Sequence, residues 1–157
     1  MFKSASFGSV SSGTLRAEDL LSAFADELEW QVSRNAEAWC SDAGRAQRDA
    51  YMVLIGEARE CDPDTDEATH DIIAELSDAL QEFAPAYSYF GAHPGDGADF
   101  GFWLSESMEE DFDGLKVADT SEVPSDYSGE VLHVNDHGNA TLYAAEAGEL
   151  REVWSVV

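Results

Sequence analysis

Residues 72–90 read IIAELSDALQEFAPAYSYF, and a change of period inside this stretch decides the fold class. Up to Phe83 the apolar residues Ile72, Leu76, Ala79, Leu80 and Phe83 recur at helical spacing, while Asp71, Glu75, Asp78 and Glu82 fall off that stripe. Pro85 ends the pattern, because its ring fixes φ and removes the N–H that a helix would use. Beyond it, Tyr87-Ser88-Tyr89-Phe90 has the composition of a strand. Helices are therefore expected before Pro85 and strands after it.

Working toward the N-terminus, Leu21, Phe24, Ala25, Leu28 and Val32 predict a helix over about 15–33, with Thr14 as its N-cap and Glu18 and Asp19 complementing the dipole in its first turn. A second helical stretch begins near Asn35 or Ser41, carries Tyr51, Leu54, Ile55 and Ala58 on one face and ends near Glu60, with Gly44 as a point where it can break. The third follows Asp62-Pro63-Asp64. Residues 1–14 are rich in Ser and Gly around Phe2, Phe7 and Val10, which suits an extended arm or short edge strand.

Toward the C-terminus, residues 99–104, 130–134, 140–143 and 153–156 read as strands, with turn residues at Asp136-His137-Gly138-Asn139 and Ala147-Gly148. A short acidic helix starts at Ser107, which has capping-box spacing to Glu110. No repeat or long linker divides the chain. The expected architecture is a single α+β domain over 1–157: arm 1–14, about three helices over 15–84, and an antiparallel meander over 85–157 on which they pack.

The chain sets 33 Asp and Glu against 8 Lys and Arg, a formal net charge of -25, while 8 Phe, 5 Tyr and 4 Trp supply a core and exclude an acidic disordered tail. A phosphate backbone would meet only Lys3, Lys116 and scattered arginines, so direct nucleic-acid binding is excluded, and an anionic membrane would repel the chain. The first residues lack the apolar run of a signal peptide, and no apolar stretch approaches the ~20 residues of a membrane span. Cys40 and Cys61 have no spacing of a disulfide framework. A cytoplasmic protein, monomeric or a small homo-oligomer, is expected.

Residues 15–84 hold 18 acids and 5 bases, and residues 85–157 hold 15 and 2, so each part carries -13, with Lys3 adding +1. Asp71, Glu75, Asp78 and Glu82 follow i, i+4, i+7 and i+11 and form one column along a helix. Like charges so placed each cost a few tenths of a kcal/mol, roughly. Two explanations compete. Rows of carboxylates can imitate duplex phosphates and occupy the basic groove of a nucleic-acid-binding protein, and an acidic surface also keeps a protein dispersed in a salt-loaded cytoplasm. Glu109, Glu110, Asp111 and Asp113 form a second cluster.

Three segments, SSGTLRAEDLL at 11–21, YFGAHPGDGADFGFW at 89–103 and HGNATLY at 137–143, together resemble a group of small uncharacterised proteins of bacteriophages and other mobile elements. The resemblance covers about a third of the chain and implies a genomic setting rather than a chemistry. Compact acidic proteins in that setting are often counter-defence factors of the anti-restriction or anti-CRISPR kind.

The segment Gly91 to Asp99 packs three glycines, His93, Asp96 and Asp99 between two aromatic strands. Without a following Lys or Arg it is no phosphate cradle, and Gly95 and Gly97 at positive φ with Asp96 and Asp99 capping amides would shape it as a hairpin loop. His133, Asp136 and His137 lie within five residues, and His93 could join them around a divalent cation, although the spacing matches no tight metal signature. Nothing local makes a nucleophile of Cys40 with His70. The aromatic residues Phe100, Phe102, Trp103, Tyr143 and Trp154 alternate along strands, and either line a core closed on both sides or leave a patch for a protein partner.

The leading expectation is a non-enzymatic inhibitor, without metal or cofactor, of a basic nucleic-acid-binding host defence protein. Its binding residues would be Asp71, Glu75, Asp78 and Glu82, with Glu109, Glu110, Asp111 and Asp113. The alternatives are a metal-binding module or metal-dependent enzyme centred on His93, Asp96, His133 and His137, and a salt-adapted acidic structural protein.

Overall fold

The apolar stripe of Leu21, Phe24, Ala25, Leu28 and Val32 is buried along one side of α1, Ala17–Arg34, as its spacing requires. The computed structural model describes residues 3–64 and 66–156 and divides into two compact units, Met1–Ser105 and Glu106–Val157. Met1 and Phe2 of the arm lie outside the described residues. The chain is α+β, with its long helices first and an antiparallel-rich sheet last.

In the first unit β1, Gly8–Ser11, precedes α1; a 3-10 turn over Ala36–Cys40 leads into α2, Asp42–Glu60, and α3 spans Asp66–Gln81. The hairpin strands β2, Ser88–His93, and β3, Asp96–Leu104, follow. Sheet order is β1-β3-β2, every pair antiparallel. The arm thus supplies an edge strand. It runs so close to β3 that a Cβ on Gly101 would lie 2.1 Å from the carbonyl oxygen of Gly8, so position 101 tolerates only glycine.

The three helices pack on one another, α1 touches β1 and α3 touches β2. Phe24, Leu28, Ile55, Leu76, Leu80, Phe83 and Phe102 are sealed from solvent. The Phe24 ring meets Phe90 edge-on at 5.0 Å and Phe100 at 5.6 Å, and Phe90 meets Phe102 at 5.0 Å, so the aromatics of the hairpin fill the core under α1.

Local capping departs from expectation at two places. Arg16, not Thr14, is the N-cap of α1; Thr14 accepts from the Arg16 amide and donates to Asp19 Oδ2 at 2.7 Å, bracing the approach to the helix. The second helical stretch breaks at Ser41, whose Oγ accepts from the Gly44 amide. Gly44 lies inside α2, buried where the 3-10 turn crosses it; a Cβ there would stand 2.5 Å from the Ala38 carbonyl oxygen.

The second unit contains a single helical turn, α4 at Met108–Asp111, then β4, Leu115–Val117, a 3-10 turn over Thr120–Glu122, and β5, Gly129–Val134, β6, Ala140–Glu146, and β7, Glu149–Val156. Ser107 is the N-cap of α4, and its hydroxyl donates to Asp111 Oδ2 at 2.6 Å. The last three strands form the expected meander, but β4 pairs parallel to β5, Leu115 opposite Val131. Three residues are too few to show a period, which is why β4 escapes a reading by pattern. The strands of 85–157 are therefore shared between two sheets, because β2 and β3 take β1 as their third strand. Val131 and Leu132 are both buried, so β5 is covered on both faces. Ala147 and Gly148, at φ 50° and 79°, make the tight turn between β6 and β7 that a primed hairpin needs.

Candidate functional site

Asp71, Glu75 and Asp78 are exposed on α3, and Glu82 is exposed just beyond its end. The helix that carries them buries Leu76, Ala79 and Leu80 on its other side, so the apolar stripe itself turns the carboxylates outward. From Asp71 to Asp78 the helix rises about 10.5 Å, a length over which one strand of a DNA duplex carries about three phosphates. The three carboxylates match that linear density.

These charges stand without counter-ions. Ion pairs in the first unit join Arg16 to Glu18, Arg45 to Asp42, Arg48 to Asp49, and Arg59 to both Asp26 and Glu29. None reaches Asp71, Glu75, Asp78 or Glu82 among the described residues. Glu82 differs from the others, because Gln47 Nε2 donates to its Oε2 at 2.7 Å and to the Tyr51 hydroxyl at 2.8 Å. Burial first, and then the Glu82 carboxylate, push the Tyr51 hydroxyl well above the usual tyrosine range. Glu82 thus fastens α2 to the chain end of α3, a role that helical spacing alone does not reveal.

In the second unit Glu109, Glu110, Asp111 and Asp113 are all exposed around α4. Lys116 Nζ donates to the backbone carbonyl of Glu109, so a cation sits beside this cluster but not on its carboxylates. Asp119, one strand further on, is held below the usual carboxylate range by the backbone amide of Ser121.

The Gly91–Asp99 segment is mostly strand. His93 and Asp96 are paired across a two-residue turn, and neither Gly95 nor Gly97 has positive φ, which overturns the glycine-shaped loop. The turn is set instead by side chains: His93 Nδ1 accepts from the Gly95 amide at 3.0 Å and Asp96 Oδ1 from the Ala98 amide at 3.0 Å. The His93 ring stands edge-on to Trp103 at 4.6 Å. Asp99 caps nothing through Oδ1, which is buried without a hydrogen-bond partner among the described residues.

His133 Nε2 lies 3.0 Å from the Ala118 carbonyl oxygen, and His137 sits exposed in a turn whose amides donate to Asn135 Oδ1. Among the described residues no group of three His, Cys, Asp or Glu side chains is placed to hold a metal ion. Phe102 and Trp154 are buried, and Phe100, Trp103 and Tyr143 are half-buried, so none of the five strand aromatics is an exposed patch. Among the described residues the exposed aromatic is Trp30 on α1, 60% accessible, which strand periodicity does not single out. Among the described residues no helix is long and apolar enough to cross a membrane. No family model, curated protein or solved structure matches the chain.

Proposed function

We propose that this protein inhibits a basic nucleic-acid-binding protein by placing the outer face of α3 in its nucleic-acid groove. The observation that carries the reading is the un-neutralised row of Asp71, Glu75 and Asp78 at strand-like charge density. The net charge of -25 steers a basic partner in and keeps nucleic acid itself away. No catalytic group, metal or cofactor takes part. The partner class is a host defence protein that grips DNA or RNA through Lys and Arg, the setting implied by the likeness to mobile-element proteins. Glu109, Glu110, Asp111 and Asp113 form a second exposed acidic surface for the same purpose.

The test is competition under varied salt. The protein should displace duplex from its target, and the advantage should fall steeply as the screening length shrinks from ~8 Å at physiological ionic strength to ~3 Å at 1 M. Competition that persists unchanged at molar salt would refute a carboxylate-led interface. If the free protein instead unfolds at low salt and is rescued at molar salt, its acidity serves its solvent.

A further inference from the structure

Between α1 and the edge strand β1 runs a groove of about 210 Å³, well below the size of a drug-like pocket and suited to a group no larger than one amino acid. Its lining is bipolar. Glu27 and Arg34 lie two turns apart on α1, about 10.5 Å along the axis, and Trp30 and Gln31 lie between them. Phe7 faces them from the arm.

Three of these residues have unused capacity. Gln31 is 1% exposed; its Nε2 donates to Glu27 Oε1 at 2.7 Å, which fixes the orientation of the amide, and its Oε1 is buried with no donor among the described residues. A buried acceptor left unmatched costs about 1–3 kcal/mol. Arg34 has no hydrogen bond or ion pair among the described residues, whereas Arg16, Arg45, Arg48 and Arg59 of the same unit are all paired with carboxylates. Trp30 offers an exposed ring face.

We infer that this groove binds a free α-amino acid with a flat apolar side chain. The ammonium group would lie between the Glu27 carboxylate and Gln31 Oε1, the carboxylate on the Arg34 guanidinium, and the side chain between Trp30 and Phe7. The chemistry selects a zwitterion over simpler ions. An anion would use Arg34 but meet the repulsion of a chain with net charge -25, and a simple cation would leave Arg34 unmatched. A zwitterion engages both ends and carries no net charge. This site is independent of the α3 column.

The test is an NMR titration of the ¹⁵N-labelled protein with L-phenylalanine, following the Trp30 indole N–H, which a Trp30→Phe sample identifies. A saturable shift is expected. N-acetyl-L-phenylalanine and L-phenylalanine amide, each lacking one of the two charges, should bind about tenfold more weakly, the loss of one charge-assisted contact. Arg34→Gln and Glu27→Gln should each weaken phenylalanine to a similar degree with melting behaviour retained. No saturable shift up to the solubility limit would overturn the site, as would equal binding of the two derivatives or a shift indifferent to Arg34→Gln. If a variant fails to fold, the derivative series on the unaltered protein decides.

Discussion

In the seam between α1 and α2, Arg59 draws Asp26 and Glu29 together at 2.9 and 2.8 Å, whereas on α3 Asp71, Glu75 and Asp78 stand within two turns of one another with no ion pair among the described residues. The residue types are the same and the treatment is opposite. At the seam one guanidinium bridges two helices, and its hydrogen bond first, then its charge, hold the Glu29 carboxyl below the usual range. On α3 the acids repel one another at i, i+3 and i+4 and contribute nothing to the fold in return. Neutralised acids here serve packing, and un-neutralised ones are free to meet something else. Glu82 belongs by spacing to the second set and by contact to the first.

The sharpest way to break this contrast is to reverse the column. Asp71→Lys with Glu75→Lys and Asp78→Lys should leave circular dichroism and thermal melting near wild type, since all three side chains are solvated. Competition against the target's own nucleic acid should be abolished, because attraction becomes like-charge juxtaposition worth several kcal/mol, roughly. A folded variant that competes at wild-type strength would reduce the column to a solvated face.

A smaller effect separates Glu82 from its neighbours. Tyr51→Phe removes the hydroxyl that meets Gln47 and should cost about 1 kcal/mol in denaturant unfolding at neutral pH. The hydroxyl's pKa is raised in the fold above its ordinary value near 10, so its contribution is fully present below pH 10 and is lost as pH rises further. Wild-type stability should therefore fall with an alkaline limb starting near pH 10 that the Phe variant lacks. Identical limbs in the two proteins would show that Tyr51 is not the titrating group.

The smallest effect belongs to the seam. Arg59→Gln should lower the melting temperature by less than Tyr51→Phe does, and the difference should vanish in high salt, because the ions it separates are exposed. Glu29 titrates below its ordinary value of 4.5, so the pair's contribution is present above that pH and fades as pH falls below it. The variant should lack that shallow acid limb, and target competition should not change.

What could be read from the chain alone were features whose cause is local. The helices and their buried stripes follow from apolar spacing, the exposure of Asp71, Glu75 and Asp78 follows from the opposite side of the same helix, and the turn at Ala147-Gly148 follows from a glycine that takes positive φ without steric cost. What the tertiary structure decided rests on partners far apart in sequence. Gln47 and Tyr51 claim Glu82 across more than thirty positions, as the 35-residue separation of the Gln47 contact shows, and no period along α3 could mark that one carboxylate. The arm's pairing with β3 is settled by backbone hydrogen bonds and by the room that Gly101 leaves. The parallel pairing of β4 needs the distant strand β5. Periodicity records which side of an element is apolar; it carries no record of which remote group arrives on the other sides. For that reason Trp30, Gln31 and Arg34 became a groove only when β1 was laid beside α1.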